Sequence, residues 1–220
     1  MLREYLLISA KQCIPTLNQV SPEELALSEP FSVGLHAVNR ASNLCGKRVL
    51  ISGSGTIGCM VLLAAKLDGA EQVTIVDVLE EPLAIARKVG ADQTLCVQPS
   101  AAPSPEFFNK FDVAFEVSGG ASALGNCIEL VRRGGIIVQV RTLPVEGIHL
   151  FANQIMVKEL DIRGSMRFSN VFSRAVQLLE SQRLNVQPIL TCKFPIAEAA
   201  EALKLAFDKT LSMKVQIVAD

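Results

Sequence analysis

Three glycines are the residues of this sequence whose spacing best fits a chemical task. Gly53, Gly55 and Gly58 form the pattern GxGxxG, after the apolar run VLIS (49–52) and before a second apolar run. In this pattern the first glycine permits a tight turn, the second lets backbone approach a pyrophosphate, and the third lets a helix pack close to the strand. A helix beginning here also offers free N–H groups and the positive end of its dipole to a phosphate.

Asp77 ends the next apolar run, VTIVD (73–77), roughly 20 residues after the last of these glycines. A carboxylate at this point accepts hydrogen bonds from the ribose hydroxyls of adenosine and repels a 2′-phosphate. The residues that follow, VLEE (78–81), include no arginine to receive that phosphate. The pattern therefore favours NAD, with NADP as the alternative. Two other interpretations stay open here: glycines that serve only as turn residues of an α/β domain, and a domain that binds a methyl donor.

Six short apolar runs, alternating with helical patterns, provide the elements that would position these residues. Strands are predicted at 49–52, 73–77, 94–97, 111–117, 135–140 and 160–164. Strands that are apolar on both faces belong inside a parallel sheet, and their alternation with helices is typical of a doubly wound α/β fold. We therefore expect a six-stranded Rossmann sheet in the order 3-2-1-4-5-6, with a loop or crossover over the Pro/Ser stretch 98–107.

The two ends of the chain do not fit this repeat and predict parts of a second, smaller unit. Near the start we predict a strand over 4–9 and a helix beginning at Ser21, which with Glu24 forms a capping box. Near the end we predict a helix over 169–182 behind a Ser169 cap. The remaining predicted elements are helices from the glycine motif to Lys66 and over 80–90, 121–133, 151–157 and 196–207, and a strand over 214–218.

Composition excludes several classes of protein. Lys plus Arg is 21 and Asp plus Glu is 22, which leaves no electrostatic footprint for nucleic acid or an anionic membrane surface. No apolar run is long enough for a membrane span, so we expect a cytoplasmic protein. The six cysteines form no CxxC pair, and local spacing gives no zinc cluster. We expect reduced thiols, mostly packed in apolar surroundings.

Longer segments resemble the zinc-dependent medium-chain alcohol and polyol dehydrogenases. The resemblance lies in LSEPFSVGLHA (27–37), the glycine motif with GADQ (90–93), and LDIRGSMRF (160–168). Within this superfamily, FDVAFEVSGG (111–120) and FDKTLSMKVQIV (207–218) look most like L-idonate 5-dehydrogenases. The resemblance covers nearly the whole chain and implies NAD(P)-dependent oxidation of a secondary alcohol of a sugar acid or polyol.

The resemblance also implies a domain organisation and an assembly. Residues 1–44 would be the end of a GroES-like catalytic domain, 45–165 the dinucleotide-binding domain, and 166–220 a segment that returns to the catalytic domain. The protein would act on a small molecule as a homodimer or homotetramer.

Site residues follow from the same resemblance. Glu29 is similar to the carboxylate that reaches the family's zinc, directly or through water, and Glu29 with Arg167 would contact the sugar chain. The alternatives are a solvated loop carboxylate for Glu29 and a surface ion pair for Arg167; His36 is interpreted as structural and Asp112 as a turn or cap residue. Besides Gly53, Gly55, Gly58 and Asp77, the cofactor-binding residues implied are Ile57, Val140, Arg141, Thr142, Ser165, Met166 and Arg167.

Departures from the family pattern matter for the chemistry. The family's upstream Cys ligand, Gly-His-Glu segment and structural zinc lobe have no counterpart in the sequence, so we expect that this chain does not bind zinc. Arg141 stands where the family usually has glycine, and Phe168 replaces the tyrosine of sorbitol dehydrogenases. The hypotheses are a fragment of a working enzyme, a non-catalytic NAD-binding module or decayed gene product, and a zinc-free reductase; we favour the first.

Overall fold

Six parallel strands form the central sheet of the protein. The structure is a computed structural model that describes residues 5–17, 20–99 and 101–219. The strands are β1 (Arg48–Ser52), β2 (Gln72–Asp77), β3 (Gln93–Cys96), β4 (Phe111–Glu116), β5 (Val131–Gln139) and β6 (Asp161–Gly164). Their order is β3-β2-β1-β4-β5-β6, which confirms the predicted doubly wound topology.

Eight α-helices accompany the strands in the described ranges, and most of them cover the two faces of this sheet. They are α1 (Pro22–Leu25), α2 (Ser28–Ala41), α3 (Thr56–Leu67), α4 (Glu80–Val89), α5 (Ala123–Leu130), α6 (Asn153–Lys158), α7 (Phe172–Glu180) and α8 (Ala199–Phe207). Residues of α2, α3, α4 and α7 share one apolar cluster, whereas α5 and α6 contribute to a second cluster on the other face. The sheet is therefore the middle of three layers.

Strand β1 shows why the apolar runs become central strands. Val49 and Ile51 belong to the first apolar cluster and Leu50 to the second, and all three are at most 1% exposed. Successive side chains of a strand point to opposite faces, so a strand between two helical layers must be apolar at every position.

Helices α2 and α3 meet backbone to backbone. A Cβ atom built on Gly34 of α2 would lie 2.6 Å from the carbonyl carbon and oxygen of Met60 in α3. Only glycine fits at this position. Phe31, Leu35 and Val38 extend the contact on the same side of α2, and they are buried in the first apolar cluster.

The capping box predicted at Ser21 is present. The Ser21 hydroxyl accepts a hydrogen bond from the Glu24 backbone N–H at 3.2 Å, and the Glu24 carboxylate accepts one from the Ser21 N–H at 3.3 Å. The helix that it begins, α1, contains only four residues before α2 takes over.

The predicted strand over 4–9 is wrong for the residues that can be assessed. Residue 4 lies outside the described residues, and residues 5–9 have no strand pairing. Tyr5, Leu6 and Leu7 are 87%, 73% and 100% exposed. An apolar run becomes a strand only beside another strand, and the described part of the chain places none next to it.

Two helix ends differ from the predicted ones. Helix α5 ends at Leu130 instead of 133, and β5 begins at once with Val131, which pairs with Phe111 before a register shift. Helix α7 begins at Phe172 behind Val171, without a side-chain cap. The Ser169 cap is therefore wrong: the Ser169 carbonyl accepts the Val171 N–H at 2.6 Å in a turn that precedes the helix.

A small second sheet contains one strand that the sequence analysis missed. Strand β7 (Leu190–Pro195) pairs in parallel with β8 (Lys214–Val218), and α8 connects them. The helix predicted from 196 starts as a 3-10 turn over Ile196–Glu198 and becomes α-helical at Ala199. The alternation of apolar residues at Leu190, Cys192 and Phe194 was the available signal for β7. In the described ranges, no helix is both long enough and apolar enough to cross a membrane.

Candidate functional site

A cavity of about 600 Å³ opens at the carboxyl ends of β1, β2 and β4. This is the edge of a parallel sheet where the strand order reverses, and ligands of such folds bind there. Residues 97–99 and 101–104, which belong to the connection from β3 to β4, line one side of the cavity. The residues of the cavity that the argument uses are Gly53, Gly55, Asp77, Ser118, Arg141 and Lys209.

The glycine turn has the geometry that its motif requires. Gly53 has a φ angle of +111°, which side chains rarely adopt. A Cβ on Gly58 would lie 2.0 Å from the Gly53 carbonyl oxygen, so this position must lack a side chain. At Gly55, by contrast, an added Cβ meets no atom within 4 Å. The first and third glycines are thus required by the fold, whereas the second borders open space at the start of α3.

Asp77 is fixed against the glycine turn. One carboxylate oxygen, Oδ2, accepts hydrogen bonds from the Ser54 N–H at 2.6 Å and the Ser54 hydroxyl at 2.8 Å. The other, Oδ1, accepts the N–H groups of Val78 at 2.7 Å and Leu79 at 3.2 Å. The sequence predicted a carboxylate at the end of β2 near the glycines, and the structure places it in direct contact with the residue between the first two.

Glu116, at the end of β4, is a buried carboxylate that the sequence analysis did not single out. It is 0% exposed, and its Oε1 accepts hydrogen bonds from the Ser118 N–H, the Ser118 hydroxyl and the Gly119 N–H at 2.7 to 2.9 Å. Its Oε2 has no hydrogen-bond partner among the described residues. An acidic residue inside the apolar run FDVAFEV was the signal that could have found it.

Val140, Arg141 and Thr142 follow β5 and lie beside the turn that Glu116 holds. The Val140 and Arg141 N–H groups donate to the Glu116 carbonyl at 2.9 and 3.3 Å. Of these three residues, Arg141 lines the cavity; Thr142 is exposed and Val140 is half-buried. A backbone contact thus connects the ends of β4 and β5 along the cavity's edge.

Ser165, Met166 and Arg167 follow β6, at the end of the sheet farthest from β3. Ser165 is 6% exposed, and its hydroxyl has no partner among the described residues. Met166 is 76% exposed, and Arg167 is exposed with a φ angle of +49°. Within the described residues, Arg167 has no ion-pair partner, so the surface ion pair considered for it is not found. Ser165, Met166 and Arg167 do not line the cavity. Ile57, another predicted cofactor-binding residue, packs on the first apolar cluster.

The side chains that could hold a metal do not converge. Glu29 lies in the first turn of α2 and is exposed; His36 is half-buried in α2, and His149 is exposed. Within the described ranges, no three His, Cys, Asp or Glu side chains are grouped as a metal site would require. A catalytic zinc needs about three protein ligands, so the described residues alone do not fit one.

Three of the six cysteines contradict the expectation that most are packed in apolar surroundings. Cys59 and Cys127 are buried, and burial raises the pKa of the Cys59 thiol to about 12. Cys13, Cys45 and Cys96 are exposed. They occupy loops and the end of β3.

Asp112 has a different role from the predicted turn or cap. Its carboxylate accepts hydrogen bonds from the Arg48 N–H at 2.9 Å and from Arg132 Nε at 2.6 Å. It joins the starts of β1, β4 and β5, at the edge of the sheet opposite the cavity. Burial alone would raise the pKa of Asp112, but its hydrogen bonds and the two arginine charges outweigh burial and lower it.

Comparison with known proteins matches this chain to dehydrogenases. Residues 56–181 match the family described as zinc-binding dehydrogenase. L-idonate 5-dehydrogenase (NAD(P)(+)) of Escherichia coli is 36% identical over 217 residues, and sorbitol dehydrogenase of Rattus norvegicus is 39% identical over 218. The alignments cover 97% and 96% of this chain but only 62% and 60% of those proteins.

Solved structures give the same result. The crystal structure of the Escherichia coli L-idonate 5-dehydrogenase superposes with a TM-score of 0.90 at 35% identity, covering 97% of this chain and 62% of that one. A structure from Sinorhizobium meliloti, described as a zinc-binding dehydrogenase bound to NADP, has a TM-score of 0.86 at 25% identity and covers 98% and 64%. The chain thus spans about three fifths of the length of these relatives.

Proposed function

Because the chain belongs to the family of zinc-binding dehydrogenases, we propose that it binds NAD(P) in the cavity at the end of β1 and β2. The dinucleotide would serve the oxidation of a secondary alcohol of a sugar acid or polyol to a ketone. When bound, the nicotinamide supplies the hydride acceptor. The substrate class rests on the relatives at 36% and 39% identity, whose names specify L-idonate and sorbitol.

One observation carries the nucleotide part of the proposal: the different surroundings of the three glycines. Gly53 and Gly58 are confined by backbone, whereas a Cβ on Gly55 would occupy open space. If the motif only formed a turn, nothing in the fold would require glycine at position 55. A phosphate group that approaches the backbone at Gly55 would explain why this position has no side chain. The N–H groups at the start of α3 would donate hydrogen bonds to that phosphate.

Asp77 supports a preference for NAD over NADP. Its carboxylate lies in the cavity wall, fixed by Ser54, Val78 and Leu79. Ribose hydroxyls can donate to this carboxylate, whereas a 2′-phosphate would lie next to its negative charge. The name of the Escherichia coli relative includes both cofactors, so the preference would be one of degree.

The residues proposed for substrate contact are Glu29 and Arg167, and both are exposed. Glu29, in the first turn of α2, would also reach the family's zinc if other ligands completed the site. The described residues do not provide those ligands, so no step of the reaction is derived through zinc. Binding of the nucleotide and turnover of an alcohol are therefore separate questions for this chain.

A second candidate function is an NAD-binding module without catalysis. The dispersed metal-ligating side chains of the described residues favour it. We would titrate the purified chain with NADH and NADPH by calorimetry, and then assay NAD reduction with L-idonate and with sorbitol, with and without added zinc. Binding with turnover supports the dehydrogenase; binding without turnover supports the module. A folded chain that binds neither nucleotide contradicts both.

A further inference from the structure

Arg141 reaches back from the end of β5 across the end of β4. Its Cγ and Cδ atoms lie 3.0 and 3.4 Å from the point that a Cβ on Gly119 would occupy, so the absent side chain of Gly119 leaves room for the arginine's aliphatic stem. Gly119 itself has a φ angle of +73°. Beyond this contact, Arg141 lines the same cavity as Gly53 and Gly55.

The other charges around the cavity do not offset the negative charge of a diphosphate. Three charged residues line the cavity among those described: Asp77, Arg141 and Lys209. The carboxylate of Asp77 repels a diphosphate, and the start of α3 offsets only about half of an elementary charge. Lys209 is exposed and donates to the Ala206 carbonyl at 3.3 Å. The Arg141 guanidinium has no hydrogen-bond or ion-pair partner in the part of the chain that the structure describes.

We infer that Arg141 binds the diphosphate of the dinucleotide. The inference rests on the proposed function, because it needs a dinucleotide in this cavity. An arginine is suited to the task, since its planar fork of N–H groups matches phosphate oxygens and retains its charge at any working pH. The sequence analysis gave Arg141 as a cofactor-binding residue, and the direction of its stem assigns it to the phosphates of that cofactor.

The strand order separates this role from a role in choosing between NAD and NADP. Neighbouring strands lie roughly 4.8 Å apart, and β1 stands between β4 and β2. The stem of Arg141 lies beside Gly119, just after the end of β4, so a guanidinium that extends along this edge of the sheet would meet the glycine turn after β1 before Asp77 after β2. A 2′-phosphate would lie at Asp77. Arg141 therefore contributes equally to both cofactors.

The test uses ADP, which carries the diphosphate, and adenosine, which lacks it. Arg141→Gln should weaken binding of ADP and NADH about tenfold, since a charge-assisted pair contributes on this scale. Affinity for adenosine and the ratio of NADH to NADPH affinity should stay as in the unmodified chain. Arg141→Lys keeps the charge without the fork and should recover part of the loss.

Arg133→Gln is the matched control, because Arg133 is an exposed arginine near the opposite end of β5 and donates to the Val157 carbonyl. It should bind ADP like the unmodified chain. Equal ADP affinity for Arg141→Gln and the unmodified chain would overturn the inference while leaving the proposed function intact. A fall in NADH affinity alone would place Arg141 at the nicotinamide and also overturn it. If the unmodified chain binds neither ADP nor NADH, the proposed function fails and the inference with it.

Discussion

The carboxylate of Asp77 accepts two hydrogen bonds from Ser54, one from the backbone N–H at 2.6 Å and one from the hydroxyl at 2.8 Å. With the N–H groups of Val78 and Leu79 on its other oxygen, the carboxylate uses about four acceptor positions. A ribose hydroxyl that binds Asp77 must therefore share or replace one of them. The Ser54 hydroxyl can rotate away, whereas the three backbone donors cannot.

Replacing Asp77 by alanine should weaken NADH binding about tenfold and reduce the discrimination against NADPH. The change removes the acceptor of the ribose hydroxyls and the charge that repels a 2′-phosphate. Calorimetric titration with both nucleotides checks this. If neither affinity changes in a folded variant, our placement of the ribose is wrong.

Ser54→Ala is the matched variant for this interaction. It removes the hydroxyl that competes with the ribose but keeps the backbone N–H that fixes Asp77. We expect it to bind NADH at least as well as the unmodified chain. A large loss of affinity would mean that the hydroxyl itself contacts the nucleotide.

Gly55→Val should abolish detectable NADH binding and leave the melting temperature close to that of the unmodified chain. The added side chain meets no protein atom near its Cβ, but it occupies the space proposed for the phosphates. The melting temperature and a titration with NADH test the two halves of this prediction. Unchanged affinity in the folded variant would contradict the phosphate site.

Gly58→Ala, unlike Gly55→Val, should lower the stability of the fold. Its Cβ would lie 2.0 Å from the Gly53 carbonyl oxygen, so the glycine turn or α3 must shift. We expect a loss of about 2 kcal/mol or more in the free energy of unfolding, on the scale of overpacked cores. A stable Gly58→Ala variant would show that the turn is less confined than its geometry indicates.

Lys158→Met should lower the free energy of unfolding by about 3 kcal/mol. Lys158 is 9% exposed, and its ammonium donates to the carbonyls of Ile128, Glu129 and Val131 at 2.8 to 3.0 Å. Those acceptors lie at the end of α5, where a cation also faces the negative end of the helix dipole. Burial lowers the pKa of Lys158, and the negative charge of Glu129 opposes that shift.

Urea unfolding at neutral pH measures this contribution. The control is Lys88→Met, since Lys88 is an exposed lysine near the end of α4. It should change the free energy of unfolding by less than about 0.5 kcal/mol. Equal effects of the two substitutions would mean that the Lys158 hydrogen bonds add nothing to the stability.

Asp112→Asn should destabilise the protein by about 1–2 kcal/mol at pH 7, and this effect should shrink as the pH falls below the unfolded pKa of Asp, about 4. The pKa of Asp112 is lowered in the folded state, so its contribution is complete above the unfolded value of about 4 and disappears as the pH falls through the folded value. Unfolding curves of the variant and the unmodified chain at several pH values should therefore converge in acid.

The comparison for this pH profile is Asp161→Asn. Asp161 pairs with Arg163 at 2.6 Å, but its side chain is 50% exposed, so solvent screens the pair. We expect a smaller change at pH 7. If the difference between the Asp112→Asn variant and the unmodified chain did not shrink with falling pH, a cause other than its charge would have to explain the loss.

The central sheet could be predicted because its strands are apolar on both faces. Leu50 and Ile51 show this in β1, and every predicted strand of the sheet is found within a few residues. The start of β5 could not be predicted, since Arg132, Arg133 and two glycines interrupt its apolar pattern. A buried lysine from α6 holds the end of α5 there, and no local pattern reveals a partner that far along the chain.

The candidate site, too, could be predicted from the sequence only in part. The glycines and Asp77 could be found because one local motif places them together. The position of Arg141 over Gly119 depends on how the ends of two strands align, which spacing along the chain does not specify. Lys209 reaches the cavity from the connection between α8 and β8. This connection leads into the second sheet, of whose two strands the sequence analysis predicted only β8.

The contact between Gly34 and Met60 has a mechanical meaning as well. Two helices whose backbones touch cannot slide past one another without a clash, because close-packed interiors transmit displacement instead of absorbing it. Helices α2 and α3 should therefore move together as one unit. Helix α2 carries Glu29 in its first turn, and α3 begins at the glycine turn. A displacement at either of these two positions would therefore be transmitted to the other.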